Sequence, residues 1–462
     1  MSTAALWPSD RRARAIAIVC LAIAALYLGK GIYRGLTFSH GDFYYTMPGE
    51  YASRWNPALW NSPDLEEARG YNKGAYYYGP TQYLTLFPVV FLNSYEQIAS
   101  LLLAAYPLVL IAACVVLWKM LEGQVGRVGQ VGQVAQVGLV GQVGKVGLPV
   151  FLAFAMAFLP LTQSLVQREF EVVAFLALVA ACAWLARGHE VAGGAAVAYL
   201  TWFKYWPVVL LGAFVMHRRV KGLAAFVAAS AVLLLTAQVA FGLDRFLIGR
   251  TAGIVGGLLR PLGGGDVLYP VIERGAQKSD FCRQWVGGRG TQVDVRWALC
   301  GVEDRFAWIS AKAVFYALAV VTAALFVWGA VKLERRPADT ETVKWGAIWE
   351  VSILTMAGVA FVHAHYYYLI MLLLPLAALL HWYATRPQPG RTLKLALWLA
   401  AYVLLNALIV PTSWLSALLQ RDAWAAYIDS GACLLGMLLL LGLVLWEFIQ
   451  LTRRTPAMLA AA

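Results

Sequence analysis

Charge is scarce in this sequence. Only 13% of its 462 residues are Asp, Glu, Lys or Arg, about half the ~25% of a soluble domain. With 61% hydrophobic residues, that shortage excludes a soluble core and makes the chain a polytopic membrane protein. The apolar runs also lack the alternation of apolar and polar residues that strands of a closed β-barrel require, so an all-α architecture is expected. No small-residue cleavage site follows the first apolar run, Ala15 to Tyr27, so no cleavable signal peptide is expected.

Acids are scarcer than bases. The net charge is +12, which raises the question of nucleic acid. Much of the excess sits in short segments between apolar runs: Arg11, Arg12, Arg14, Arg187, His217-Arg218-Arg219, Lys221, Lys332, Arg335-Arg336, Arg386, Arg391 and Arg453-Arg454. The positive-inside rule produces that distribution, and no nucleic-acid partner is needed. Apolar runs read against these basic loops give about twelve spans in a single integral membrane domain over 1–462. They are expected at 15–36, 95–118, 148–166, 171–186, 190–203, 205–216, 222–242, 307–331, 346–362, 366–383, 394–410 and 426–449, with both chain ends cytoplasmic. The pair 190–203 and 205–216 reads as a hairpin of two short helices, because basic residues flank both of its outer ends. Each would reach only ~20 Å of a ~30 Å hydrocarbon core; one long span is the alternative.

Three segments fall outside the spans. Residues 37–94 form an outer-side region rich in Trp, Tyr and Pro, expected to hold interfacial helices, and residues 243–306 form a second long outer-side loop. Residues 119–147 contain eight Gly-x-Val triplets, one with Ala for Gly. They lack the proline of collagen, and their glycine opposes a helix, so they read as a low-complexity cytoplasmic linker. Of six cysteines, Cys20, Cys114, Cys182 and Cys433 lie in apolar runs. Cys282 and Cys300 share the second outer loop, where oxidising surroundings permit a disulfide; two free thiols are the alternative. No His lies in that loop, so no metal site is expected there.

The polar residues that do not suit a bilayer gather on the outer side. They are Asp42 after span 1, "YYYGP" at 76–80, "QREFE" at 167–171, Lys204 at the hairpin tip, Arg250 and Arg260 in the second loop, and "HAHYYY" at 363–368. Ionisable groups near membrane depth are costly and usually functional. Each has a plainer reading as well. Asp42 suits a helix N-cap, and most of the aromatic rings suit an interfacial belt. Arg168 and Glu169 suit a structural ion pair, and Lys204 can snorkel. His363 and His365 would need further ligands to hold a metal.

Together, Asp42-Phe43-Tyr44-Tyr45, "YYYGPTQYLTLFP" (76–88), "QREFEVVAFLAL" (167–178), "AGGAAVAYLTWFKYWPVVLL" (192–211) and "HAHYYYLIMLLLPL" (363–376) resemble glycosyltransferase family 87. The order and spacing of these short motifs carry the resemblance, which runs from span 1 to span 10. The chain departs from the family pattern at Arg168-Glu169-Phe170-Glu171 and in the triplet linker. The resemblance implies a type C fold and a polyprenyl-phosphate sugar donor, as in the mycobacterial mannosyltransferases of phosphatidylinositol mannoside synthesis. It implies Asp42 as the general base, and it best supports Lys204 and His365 on the donor phosphate. Arg168 and Arg260 are further phosphate candidates. Tyr44, Tyr45, Tyr78, Glu169, His363 and Tyr366 are expected to line the substrate site.

The chemistry suits these residue types. A polyprenyl-phosphate sugar already carries its leaving group, so the enzyme must supply a base for the acceptor hydroxyl and cations for the phosphate. No cofactor or metal is expected. The expected partners are the donor, a lipid or glycan acceptor and membrane lipids, at the outer face of an inner membrane. A lipid-linked sugar flippase or transporter is the competing function. It would favour polar residues at mid-membrane and repeated sets of spans, neither of which this sequence displays. A scaffold would not explain the convergence of Asp, Lys and His.

Overall fold

The computed structural model describes residues 11–37, 81, 84–85, 91–92, 95–122, 148–167, 170–204, 206–241, 295–306, 308–335, 340–362, 366–386, 388–406, 423, 426–427 and 430–453. All regular structure among them is helical. In chain order the helices are α1 (Arg11–Thr37), α2 (Tyr95–Glu122), α3 (Leu148–Met156), α4 (Leu159–Gln167), α5 (Glu171–Ala186) and α6 (Glu190–Lys204). A 3₁₀ turn (Trp206–Leu210) leads into α7 (Leu211–Met216), followed by α8 (Val220–Phe241), α9 (Val295–Arg305), α10 (Ala311–Glu334) and α11 (Thr340–Ala357). A π turn (Gly358–Val362) ends α11, and a 3₁₀ helix (Tyr366–Leu372) opens α12 (Leu373–Thr385). The last two are α13 (Arg391–Leu405) and α14 (Ala432–Arg453).

Six of these stretches are long and apolar enough to cross a membrane: α1, Ser100–Glu122, Val220–Ala240, α10, Tyr366–Thr385 and α14. The bent pair α3–α4 makes a seventh if counted as one span. This is fewer than the about twelve expected from apolar runs. Part of the shortfall is one of length, since α5, α6 and α13 have 16, 15 and 15 residues and a crossing helix needs ~20; α11 has 18 residues but carries Glu341, Lys344 and Glu350. Residues 123–147, most of 37–94 and most of 243–306 lie outside the described residues.

The 62° bend between α3 and α4 has a covalent cause. Pro160 is the second residue of α4; it has no N–H, and its ring conflicts with the carbonyl four residues earlier. The side chain of Asn406, 5% exposed, repairs the break. Its Oδ1 accepts from the Leu159 N–H and its Nδ2 donates to the Ala157 carbonyl at 3.0 Å.

The hairpin forms as expected. A Cβ at Gly193, early in α6, would lie 3.8 Å from the Phe214 ring near the end of α7. One straight helix would separate these residues by ~32 Å. Small residues let the backbones approach: a Cβ on Gly194 of α6 would collide with the Gly222 carbonyl oxygen of α8, and one on Gly222 with the Phe214 ring.

Contacts tie the helix ends into two sets. At one end Lys344 of α11 donates to the Leu121 carbonyl at 3.0 Å, and Arg386 after α12 pairs with Glu341 of α11. The Arg386 guanidinium also lies 3.8 Å from the centroid of the Trp382 ring. Lys394 of α13 pairs with the fully buried Glu447 of α14 at 2.7 Å. At the other end α1 meets α2 and α4, where a Cβ on Gly35 would lie 2.6 Å from Leu103 and 3.1 Å from the Leu165 carbonyl. There, too, the Tyr366 hydroxyl donates to the Leu405 carbonyl at 2.9 Å. The first set carries the basic loops of the sequence; the second carries the ends of α1, α4 and α6.

Gly194→Leu forces α6 and α8 apart, and overpacking of this kind costs ~1–3 kcal/mol or more. Thermal melting in detergent should show a clear loss for Gly194→Leu. It should show none for Gly442→Ala, whose Cβ meets nothing within 4 Å.

Candidate active site

Three polar side chains from distant parts of the chain meet at the second end. Glu171 is in the first turn of α5, and Lys204 is in the last turn of α6. Each charge sits where its own helix favours it, since a helix N-terminus attracts an anion and a C-terminus a cation. The Lys204 Nζ lies 2.8 Å from Glu171 Oε1, with the side chains 6% and 1% exposed. Neither carboxylate oxygen of Glu171 meets a described donor in hydrogen-bond geometry, so the contact is one of charge. Lys204 Nζ donates to the Tyr368 hydroxyl at 2.9 Å and lies 4.5 Å from the centroid of that ring.

A fourth segment docks beside them. The Thr85 hydroxyl and the Tyr199 hydroxyl of α6 are 2.7 Å apart, and Thr85 also donates to the Thr81 carbonyl at 2.8 Å. Phe203 and Trp206 on either side of Lys204 are buried. A Cβ on Gly358, at the π turn of α11, would collide with the Trp206 ring; π turns inside helices often mark functional places.

Pieces of four of the five motif segments are thus brought together: Thr81 and Thr85 from 76–88, Glu171 from 167–178, Tyr199 and Lys204 from 192–211, and Tyr368 from 363–376. Of the residues singled out from the sequence, Asp42, Tyr44, Tyr45, Tyr78, Arg168, Glu169, Arg260, Cys282, His363 and His365 lie outside the described residues. Arg168 and Glu169 precede Phe170 directly in the chain, and His363 and His365 precede Tyr366. Cys300, half-buried on α9, is disulfide-bonded. No cluster of three or more His, Cys, Asp and Glu fit for a metal occurs among the described residues. Tyr366, expected to line the site, packs against Tyr427 (ring centroids 6.2 Å apart) and donates to the Leu405 carbonyl.

Sequence reasoning missed the ring that does meet Lys204, Tyr368. Residues 366–372 form a 3₁₀ helix, where successive residues point ~120° apart, so Tyr366 and Tyr368 meet different neighbours, Leu405 and Lys204. It also missed Glu171 as the counter-charge. The usable signal was a Glu at a helix start and a Lys at the end of the next helix, which antiparallel packing brings side by side.

Residues 76–249 match the sequence model of glycosyltransferase family 87. Over that stretch the chain is similar to family 87 glycosyltransferases. No curated protein and no solved structure matches it. The matched stretch contains Thr85, Glu171, Tyr199 and Lys204, whereas Tyr368 comes from beyond it.

Replacing Tyr199 by Phe removes the hydroxyl that meets Thr85, and a buried hydrogen bond of this kind is worth ~1 kcal/mol. Melting should fall accordingly. Adding Thr85→Val to Tyr199→Phe should cost less than Thr85→Val alone, as a coupled pair requires.

Proposed function

We propose that this protein is a glycosyltransferase that moves a sugar, mannose by family resemblance, from a polyprenyl-phosphate donor to a lipid or glycan acceptor. The reaction takes place on the outer face of the cytoplasmic membrane and inverts the anomeric centre. One observation carries the reading: Lys204, with Glu171 and Tyr368, sits at the end of the bundle away from the basic helix ends. The positive-inside rule assigns those basic ends to the cytoplasm, which leaves the Lys204 end facing outward.

Asp42 is the base in this reading. The end of α1 lies against α4, with Gly35 beside the Leu165 carbonyl. The five residues from Thr37 to Asp42 span at most ~17 Å. The Asp42 carboxylate takes the proton of the acceptor hydroxyl as its oxygen bonds to the anomeric carbon. The carbon–oxygen bond to phosphate breaks on the opposite face, and polyprenyl phosphate leaves with the electron pair. Lys204, assisted by His365, Arg168 and Arg260, receives the charge that grows on the phosphate. The donor's leaving group is already activated, so these steps call on no cofactor. The wholly apolar polyprenyl chain approaches through the bilayer.

Incubating the purified protein with radiolabelled polyprenyl-phosphate mannose and a membrane lipid extract should move label into the acceptor fraction. Asp42→Asn should lower transfer by ~10²–10⁴-fold, as loss of a general base does, while the protein folds and still binds donor. Near-normal transfer by Asp42→Asn ends the assignment of the base. Label that crosses vesicle membranes without being transferred supports a lipid-linked sugar transporter instead.

A further inference from the structure

The Lys204–Glu171 contact raises a question that the proposed chemistry leaves open. A cation that is to meet a phosphate is already beside a carboxylate. A lysine side chain carries about 2 kcal/mol of rotamer freedom, and a buried ammonium with no counter-charge is strongly disfavoured. Glu171 answers both. It is 1% exposed, fixed by the first turn of α5, and it meets the ammonium by charge at 2.8 Å without an aligned hydrogen bond. Tyr368 supplies the direction that Glu171 does not, through its hydroxyl at 2.9 Å and its ring face at 4.5 Å. These partners come from two separate elements, α5 and the 3₁₀ helix ahead of α12.

We infer that Glu171 is a positioning residue for donor binding: it holds the Lys204 ammonium charged and in place to receive the donor phosphate, and acts only through that ammonium. The inference rests on the assignment of Lys204 to the phosphate. It gives Glu171 a role different from that of a base, which would need an acceptor hydroxyl within hydrogen-bond reach.

The test is a kinetic double-mutant cycle on the full chain in detergent, with radiolabelled polyprenyl-phosphate mannose. Glu171→Gln should raise the donor KM by ~10–100-fold, since a small misplacement of a binding group costs up to that order, and should change kcat less. Lys204→Met should raise KM at least as far. The double variant should be no worse than Lys204→Met alone, because a residue that acts through another adds nothing once the other is gone. Glu171→Asp keeps the charge and draws it back by one methylene, so it should raise KM only ~3–10-fold. It serves as the test if Glu171→Gln does not fold, because it leaves no buried cation unpaired. Additive losses in the double variant indicate a merely structural role and overturn the inference, as does a wild-type KM in the Glu171 variants. If Lys204→Met itself leaves donor KM unchanged, the phosphate assignment falls and the inference with it. If Lys204→Met alone raises KM, only the inference falls.

Discussion

A bilayer offers a broken backbone nothing to bond to, and each helix of this protein is shaped by that constraint. An N–H or C=O released inside hydrocarbon costs several kcal/mol unless the protein itself supplies a partner. At the α3–α4 break the partner is one side chain, Asn406, which serves both a freed N–H and a freed carbonyl. Further interruptions are the 3₁₀ turn after Lys204, the π turn that ends α11 and the 3₁₀ helix that opens α12. All three lie toward the end of the bundle that holds Glu171, Lys204 and Tyr368, and the α3–α4 break lies on the chain that leads to it. Irregular backbone is tolerated at membrane depth only where protein surrounds it or where it lines a polar space. The breaks and the polar trio therefore belong to one construction.

The two ends of the bundle treat charge differently. At the basic end, Arg386 is flanked by Trp382 and Glu341, and Glu447 is held by Lys394 and by the Trp382 indole N–H at 2.8 Å. These cations and carboxylates are enclosed by indole rings and neighbouring helices, an arrangement that fixes packing. At the other end the Glu171–Lys204 pair lies where several chain segments begin and end, and Lys204 donates to the Tyr368 hydroxyl. A buried pair is weak evidence of added stability, because desolvation offsets much of the attraction.

Much of the helical plan was legible because apolar runs and basic loops are written directly in the sequence. The hairpin at 190–216 was legible from its flanking bases, and Gly193 against Phe214 realises it. What counts as a span was less legible. Apolar runs mark a segment's start and end, but the helices that result at α5, α6 and α13 are too short to cross alone. Within the site, Lys204 was visible as a cation stranded among aromatics. Its partners were not, because pairing depends on which helix ends become neighbours and on a 3₁₀ helix that rotates Tyr368, rather than Tyr366, toward α6. Asn406 gave no sign at all: a single Asn ending an apolar run does not reveal that it will bridge a break some 250 residues earlier.

The depth at which Tyr368 meets Lys204 is set by a contact that touches neither. Trp206 follows Lys204 by two residues, and its ring lies where a side chain at position 358 would have to be. Only a glycine lets the end of α11 settle against that ring, and the next described element is the 3₁₀ helix that carries Tyr368. The region that matches family 87 ends at residue 249, so it contains the cation and its carboxylate but not the aromatic that orients them. Gly358 joins the two parts. It lets a later pair of helices dock at a fixed height on the earlier hairpin, so the ammonium meets a hydroxyl and a ring face instead of open lipid.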